Sequence, residues 1–169
     1  MINNLNEARQ IQSGLTDAYI VYEMIVEGGI TRFLALYQDA DTAKIGSVRS
    51  ARHYYLDYVL ENDAIFVHWG YSDQAKSDIK SLKINNVNGL TYEGVYFYRD
   101  NPLKLSSEHT GFTTMEMINN AVEKIGYRKE TEDGLLLNYS GESVNLNEHG
   151  NPTEATSVTI KYSNYITNK

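Results

Sequence analysis

The stretch YIVYEMIVEGGITRFLALYQ (residues 19–38) decides how the first part of this chain folds. Apolar and polar residues alternate over residues 19–27 and again over residues 30–38, a pattern that is typical of strands. Gly28 and Gly29 separate the two runs. A glycine pair favours a type I′ turn, because both central residues of that turn need a positive φ. The stretch therefore predicts an antiparallel β-hairpin closed by a two-residue turn.

The length of that turn fixes the register of the predicted hairpin. A two-residue turn places Ile25 opposite Arg32 and Glu23 opposite Leu34. Arg32 then lies diagonally between Glu23 and Glu27 on one face of the sheet. The pattern predicts a charged group on this hairpin.

The segment IGSVRSAR (residues 45–52) places Arg49 and Arg52 where a helix is predicted to begin, because residues 50–61 carry an apolar stripe with helical spacing. The backbone dipole makes a helix N-terminus electropositive, so each cation there costs roughly 0.3–1 kcal/mol unless a negative charge offsets it. Arg49, Arg52 and His53 would share one helix face. Two arginines at this point predict an anion, which is either a carboxylate of this protein or an acidic group of a ligand.

Further elements follow from the same patterns. Ser72 is the predicted N-cap of a second helix, and the capping box Thr113-Thr114-Met115-Glu116 opens a third that ends at Gly126. Strands are predicted at residues 64–69, 95–98, 135–139 and 157–162, the second helix covers residues 73–83, and surface loops are predicted at residues 85–89 and 140–152. The fold class is α/β (α+β), a single layered domain with a mixed β-sheet, the Gly-Gly hairpin and about three packed helices.

Composition excludes several functional classes. The 169 residues carry a net charge of −7 and include no cysteine. An acidic chain with a pI near 5.1 lacks the basic surface that nucleic acids require, so no nucleic-acid partner is expected. Thiolate metal sites and disulfides are impossible without cysteine. If such an acidic chain has an anion site, the positive charge of that site has to come from a small group of neighbouring basic residues.

Several motifs together resemble one known family. The strings SGLTDAYIVYEMIVEGGITRFLALYQ (residues 13–38), KIGSVRSARHYYLD (44–57), AIFVHWGYS (64–72) and DIKSLKIN (78–85) are similar to the YerB-like lipoproteins of Gram-positive bacteria, which are built on a domain of unknown function. The family pattern has a proline where this chain has Ser47. His68 matches a histidine of that pattern, whereas Trp69 and Tyr71 replace smaller residues. The phrase at Glu108-His109-Thr110 resembles the His-Asn segment of the family.

The resemblance implies a location and a domain organisation. It implies an extracytoplasmic protein that is anchored to the membrane as a lipoprotein, and it implies no established reaction. Residues 1–169 are then expected to be one N-terminal domain, without the lipoprotein signal, the first strand and the C-terminal domain of the family. Met1 falls within the sequence motif of that first strand, so the sheet is expected to lack part of its edge strand. An exposed strand edge favours pairing with another molecule, which predicts strand exchange or a homodimer.

The charged residues allow two interpretations. If the helix and the hairpin pack together, then Arg49 and Arg52 converge with Arg32 and its two glutamates. In one interpretation the charges form a buried ion-pair network that only stabilises the fold. In the other, some arginine donors stay free for an anionic ligand. The ligand-binding candidates are Arg32, Arg49, Ser50, Arg52, Glu23, Glu27, His68 and Ser72.

Catalytic signals are weak. His68 ends a predicted strand and Ser72 begins the next helix, a position where open α/β sheets commonly bind ligands, so His68 is a candidate acid or base. Glu27 is the other candidate. The four histidines show no metal-ligand spacing, and the glycines match neither a P-loop nor a dinucleotide fingerprint, so no metal or cofactor is expected.

Three functional hypotheses remain open from the sequence. The favoured one is an envelope module that binds an anionic wall precursor, a glycan or an envelope protein through Arg32, Arg49 and Arg52. The second is an envelope enzyme that acts on a phosphorylated or glycan substrate. The third is a purely structural domain.

Overall fold

A computed structural model describes residues 1–131, 137, 140, 142–148, 150–162 and 167–168. The predicted mixture of strands and helices in a single domain is confirmed. The strands are distributed over several small sheets, three of which are antiparallel and one parallel.

The predicted hairpin is confirmed. Strands β2 (Ile20–Ile25) and β3 (Thr31–Leu36) pair antiparallel, and both glycines of the turn have φ = 70°. The predicted two-residue turn is wrong, because Val26 N–H donates to Ile30 O at 2.7 Å and leaves three residues, Glu27–Gly29, in the turn.

The additional turn residue shifts the register by one. Arg32 lies opposite Met24, and Glu23 lies opposite Phe33. Because neighbouring residues of a strand point to opposite faces, a shift of one residue separates side chains that the prediction placed together. Glu23 and Arg32 therefore lie on opposite faces of the sheet.

A short strand completes this sheet. Strand β1 (Ile2–Asn3) pairs antiparallel with β3 and places Asn3 directly opposite Arg32. The sheet order is β1-β3-β2. The homodimer that was expected from a free sheet edge stays a prediction.

The segment that carries Arg49 and Arg52 is extended, which corrects the predicted helix start. Strand β4 (Ile45–Gly46) begins the segment, Val48 bridges to Ile2 and Ala51 bridges to Tyr71. A 3-10 turn follows at His53–Tyr55, and helix α2 covers Leu56–Glu61. In these bridges the backbone N–H and C=O groups of the segment form hydrogen bonds with other segments of the chain, so they need no helix to satisfy them.

The next part of the chain is a β-α-β unit. Strand β5 (Phe66–His68) lies parallel to β6 (Asn86–Asn88), and helix α3 (Asp73–Ser81) connects them. Ser72 caps α3 as predicted, because its hydroxyl accepts a hydrogen bond from Ala75 N. The predicted surface loop at residues 85–89 is wrong, since this segment forms β6 with Val87 fully buried.

One predicted strand is shifted along the chain, and several short elements occur that were not predicted. The strand predicted at residues 95–98 is β7 (Tyr98–Arg99), which pairs with β8 (Gly111–Thr113). Single-turn helices that were not predicted occur at α1 (Asn6–Arg9) and α4 (Gly89–Tyr92).

Helix α5 (Met115–Ile125) follows the predicted boundaries closely. Gly126 ends it in a left-handed conformation, as predicted. Its N-cap is Thr114 rather than Thr113, because Thr114 Oγ1 accepts a hydrogen bond from Met117 N at 3.0 Å while the Thr113 hydroxyl donates to Tyr96 O.

We expect Thr114→Ala to lower the free energy of unfolding by about 1 kcal/mol, because the mutation leaves a helix N–H without its acceptor. Urea unfolding measures this loss, and Thr114→Ser is the control that keeps the hydroxyl. An equal loss in both variants would show that the cap hydroxyl is not the cause.

The late strands are short. Strand β9 (Ile160–Lys161) pairs with β10 (Thr167–Asn168), which confirms part of the strand predicted at residues 157–162. The strand predicted at residues 135–139 lies outside the described residues, apart from Leu137.

Two clusters of buried apolar residues lie on either side of the β1-β3-β2 sheet. One cluster packs α2 and α3 against one sheet face, and its buried members include Met1, Leu34, Tyr55, Leu56, Val59, Phe66, Ala75 and Ile79. The other packs α5 and β6 near the opposite face, with Ile2, Ile45, Val48, Trp69, Val87, Phe97, Ala121 and Val122. This layering fixes the position of β3, and Arg32 is part of that strand.

Candidate functional site

Arg32 is a buried cation without a carboxylate partner among the described residues. Its side chain is on the face of the sheet that packs against α2 and α3, and the residue is only 4% exposed. Nη1 donates to Ser50 O at 2.6 Å, whereas the buried Nε has no hydrogen-bond partner in the part of the chain that the structure describes. Burial, followed by the positive charges of Arg52 and Arg49, lowers the pKa of Arg32 to about 10.

Arg49 and Arg52 are each held in two ways. Arg49 Nη1 donates to the backbone carbonyl of Glu108 at 2.9 Å and to Glu108 Oε2 at 3.0 Å. Arg52 Nε donates to Glu27 Oε1 at 2.6 Å, and its Nη1 donates to Ala51 O at 2.9 Å. Each of these arginines is therefore tied to both a backbone carbonyl and a carboxylate.

We call Arg32, Arg49 and Arg52 the arginine cluster. The positive charges of Arg49 and Arg52 act on Arg32, but both residues reach it from an extended segment and not from a helix face shared with His53. Two carboxylates, those of Glu27 and Glu108, form ion pairs with the cluster. Three cations and two anions leave an excess of one positive charge.

The ion pairs also act on the two carboxylates. The hydrogen bond from Arg52 lowers the pKa of Glu27, and the hydrogen bond from Arg49 lowers the pKa of Glu108. Both carboxylates are therefore ionised near neutral pH. The arginine cluster therefore contacts two negatively charged carboxylates.

Buried polar groups lie within and next to the cluster, and sequence reasoning did not select Asn3, Ser47 or His109 as site residues. Asn3 Nδ2 lies 2.8 Å from His109 Nδ1, and Asn3 Oδ1 accepts a hydrogen bond from Leu5 N, so the imidazole nitrogen is the acceptor. Ser47 Oγ and Arg49 Nε are buried without a hydrogen-bond partner among the described residues. Such atoms are uncommon in folded proteins and call for a physical explanation.

Glu108 is the partner of the arginine cluster for which sequence reasoning had the weakest signal. Only the phrase Glu108-His109-Thr110 drew attention to it, and that phrase does not indicate contact with a residue 59 positions earlier in the chain. Of the ion pairs that one interpretation placed between the arginines and the hairpin glutamates, the structure contains the pair of Arg52 with Glu27, and the Glu27 side chain is 63% exposed instead of buried.

Glu23 does not belong to the cluster. Its Oε1 accepts hydrogen bonds from Thr31 Oγ1 at 2.6 Å and from Asn4 Nδ2 at 2.9 Å, on the opposite face of the hairpin from Arg32. The one-residue register shift is the reason, since it reverses the face on which Glu23 lies relative to Arg32.

His68 is fully buried and both of its ring nitrogens have partners. Nδ1 lies 2.7 Å from Gly70 O, and Nε2 lies 3.1 Å from Asn86 Oδ1. Burial lowers the pKa of His68. The geometry gives His68 a role in connecting β5 to β6.

The two predicted serines have mainly local roles. Ser72 caps α3, and its N–H donates to Ala51 O at 3.1 Å. The hydroxyl of Ser50 donates to Trp69 O at 3.1 Å, while its backbone carbonyl accepts the hydrogen bond from Arg32. Ser50 therefore contributes to the arginine cluster through its backbone.

A cavity of about 940 Å³ is separate from the predicted site residues, none of which lines it. Its apolar wall includes Leu34, Val59, Phe66, Ile118 and Val122. The arginine cluster lies outside this cavity, so the two features do not form one site.

Within the described residues, no group of three or more His, Asp or Glu side chains is arranged to hold a metal ion. None of the helices in this part of the chain combines the length and the hydropathy that a membrane span needs.

Comparisons with known proteins place the chain in a family. Residues 1–128 match the family model "Protein of unknown function (DUF3048) N-terminal domain". The chain is 38% identical over 151 residues to "Putative lipoprotein YerB" of Bacillus subtilis, a match that covers 89% of this chain and 45% of the relative. The crystal structure of the YerB protein from Bacillus subtilis matches with a TM-score of 0.75 and 39% identity, and it covers 84% of this chain and 48% of that chain.

The chain thus spans about half the length of the relative that it matches. The YerB-like resemblance that the sequence motifs indicated is confirmed by both the sequence match and the structural match. The family model covers every residue of the arginine cluster and both of its glutamates. This chain belongs to the family of the DUF3048 N-terminal domain.

Proposed function

We propose that this domain is an extracytoplasmic binding module of the cell envelope, anchored through a lipid in the full-length protein, and that the arginine cluster binds an anionic group. The name of the Bacillus relative supports the lipoprotein assignment. The anionic group would belong to a wall precursor, a glycan or an envelope protein.

One observation carries the binding proposal: Arg32 is buried next to two other arginines and has no ion-paired carboxylate in the described part of the chain. Burying a charge without a counterion is costly, and folded proteins normally pair such charges. The unpartnered Nε atoms of Arg32 and Arg49 are donors that a bound anion would satisfy. Charge-assisted hydrogen bonds of this kind are roughly twice as strong as neutral ones.

No comparable observation supports the enzyme hypothesis. His68 is buried with both nitrogens in contact with protein acceptors, and Glu27 is engaged by Arg52. Neither candidate lines the cavity of about 940 Å³. The structural hypothesis, in which the charges only stabilise the fold, is the alternative that the following experiment tests.

We expect sulfate or pyrophosphate to raise the melting temperature of the wild type, and we expect Arg49→Lys and Arg52→Lys to lose that increase. A ligand at 100 times its Kd stabilises by about 2.7 kcal/mol, which corresponds to roughly 5–10 °C for a protein of this size. Lysine keeps the charge but cannot reproduce the planar donor fork of arginine. Thermal melting with and without each anion measures the effect.

Arg128→Lys is the matched control, because Arg128 is an arginine that pairs with Asp63 outside the cluster. It should keep the anion-dependent increase in melting temperature. If no anion shifts the wild type and both cluster variants lose much of their stability, then the arginines serve the fold alone.

A further inference from the structure

We propose that Glu27 and Glu108 are internal competitors that occupy the arginine cluster in the absence of ligand, and that the ligand carries two anionic centres, as a diphosphate does, which displace both carboxylates. This inference rests on the proposed function, because it specifies the ligand class and the regulation of the same site.

The exposed fraction of each side chain shows which member of each arginine–glutamate ion pair can move. The side chains of Arg49 and Arg52 are 15% and 16% exposed, whereas those of Glu108 and Glu27 are 57% and 63% exposed. An exposed carboxylate regains most of its hydration when it rotates away from the protein, so releasing it costs little. The side chains of Arg49 and Arg52 are mostly covered by protein, so they would have to leave their packed surroundings before water could hydrate them.

The arginines are also held without their carboxylates. Arg52 donates to Ala51 O, Arg49 donates to the backbone carbonyl of Glu108, and Arg32 donates to Ser50 O. These contacts to the backbone would keep the three guanidinium groups in place after the two glutamate side chains have left. A site that is already organised in this way loses little entropy when it binds a ligand.

Both glutamates belong to turns, which allows their side chains to leave without disrupting a strand or a long helix. Glu27 is in the three-residue hairpin turn, and Glu108 is in the 3-10 turn Ser107–His109. Each holds a different arginine of the cluster, since Glu27 contacts Arg52 and Glu108 contacts Arg49. A ligand with a single anionic centre can replace one of them, and a ligand with two centres can replace both.

The charge balance leads to the same ligand class. When both glutamates are in place, the cluster holds one excess positive charge, and when both have moved away it holds three. Three converging cations strongly favour a ligand with several negative charges. A diphosphate supplies two linked anionic groups, and the arginine fork matches the oxygen geometry of each.

The test is isothermal titration calorimetry of the full chain with pyrophosphate and with sulfate at equal ionic strength. We expect the wild type to bind pyrophosphate at least about 10-fold more tightly than sulfate, which is the factor expected for about 1.4 kcal/mol of additional contact. Glu27→Gln and Glu108→Gln should each tighten the binding of pyrophosphate about 2- to 5-fold, because each removes the competition of one exposed ion pair.

Glu93→Gln is the matched control, since Glu93 is an exposed glutamate that pairs with Arg99 outside the cluster. It changes the net charge equally and should leave the affinity unchanged. Tightening in Glu93→Gln of the same size as in the cluster variants would overturn the inference, because it would reflect only the overall charge.

The outcomes separate the two proposals. If the wild type binds an anion but Glu27→Gln and Glu108→Gln leave the affinity unchanged or weaken it, the competitor role is overturned and the binding function stands. Sulfate binding that equals pyrophosphate binding overturns the requirement for two anionic centres. If the wild type and all variants bind neither anion, the proposed function fails together with the inference.

Discussion

Arg32→Met is expected to abolish anion-dependent stabilisation while leaving the anion-free protein as stable as the wild type, or more stable. The guanidinium of Arg32 is buried, makes one hydrogen bond to Ser50 O, and is repelled by the positive charges of Arg49 and Arg52. Replacing buried charged groups with apolar side chains of similar size has been neutral or stabilising by about 1–4 kcal/mol. We expect a gain of roughly 1 kcal/mol here, since the Ser50 carbonyl loses its donor.

Urea unfolding with and without pyrophosphate measures both effects. The wild type should gain about 2–3 kcal/mol at a ligand concentration near 100 times the Kd, and Arg32→Met should gain nothing. Arg128→Met is the control for removing an arginine outside the cluster. A loss of several kcal/mol in anion-free Arg32→Met, with pyrophosphate stabilisation intact, would assign Arg32 to the fold instead.

A residue that lowers stability in the absence of ligand is typical of binding sites, where natural proteins retain groups that a purely structural interior would not keep. The opposite signs expected for stability and binding therefore distinguish the functional interpretation from the structural one. Removing a charge that only stabilised the fold would lower stability and leave the stabilisation by pyrophosphate intact.

Much of the local structure could be predicted from the sequence because single residues determine it. Gly28 and Gly29 predicted a hairpin, and Gly126 and Ser72 predicted the end of one helix and the start of another. In each case the signal is chemical and local: glycine tolerates a positive φ, and a serine hydroxyl accepts a hydrogen bond from a helix N–H.

The register of the hairpin could not be predicted, because it depends on one additional residue in the turn. Glu27 joins the turn in the structure, and this separates Glu23 from Arg32 across the sheet. Two- and three-residue turns both accommodate glycine at positive φ, so the Gly-Gly signal does not distinguish them. Glu23, one of the three residues of the predicted charged group on the hairpin, is separated from that group for this reason.

The helix start and strand β6 could not be predicted because tertiary contacts override local preference. The segment around Arg49 has a helical apolar pattern on its C-terminal side, yet bridges to β1 and to Tyr71 hold it extended. Strand β6 contains Asn86 and Asn88, which favour loops, but their side chains bond to His68 and to Gly70 N. The contact between Arg49 and Glu108 likewise depends on the whole fold.

The convergence of the arginines was predicted only for the case in which the helix and the hairpin pack together, and the predicted route to it was wrong. The prediction used a helix face, and the structure uses an extended segment whose carbonyl groups hold the guanidinium groups. Both arrangements bring Arg49 and Arg52 to the hairpin, because the apolar residues around them have to pack on the same sheet. Burial thus constrains the position of the charges more strongly than local secondary structure does.

Gly111→Ala is expected to destabilise this protein by overpacking its interior. A Cβ atom at residue 111 would lie 2.5 Å from Cε3 of Trp69, which is far closer than carbon atoms can approach. The indole ring cannot move away, because a Cβ at Gly89, on another part of the backbone, would lie equally close to it, and Arg99 stacks on the ring at 4.2 Å. We expect a loss of about 1–3 kcal/mol, as for other overpacked interiors.

The measurement is urea unfolding followed by far-ultraviolet circular dichroism, because Trp69 is the one tryptophan of the chain and its fluorescence is lost in a Trp69→Phe variant. Combining Gly111→Ala with Trp69→Phe should restore part of the loss, since the smaller ring makes room for the methyl group, and the double-mutant cycle isolates this coupling. Additive losses would show that the contact between residue 111 and the indole ring is not the cause.

The same substitution should also weaken anion binding, because Trp69 connects this tightly packed region to the arginine cluster. Trp69 N donates to Arg49 O at 2.9 Å, and Trp69 O accepts the hydrogen bond from the Ser50 hydroxyl. Because the ring itself has no room, the added methyl group should shift the Trp69 backbone, which contacts the Arg49 carbonyl and the residue whose carbonyl holds Arg32. If Gly111→Ala loses stability but binds pyrophosphate with unchanged affinity, the packing of Trp69 does not position the site.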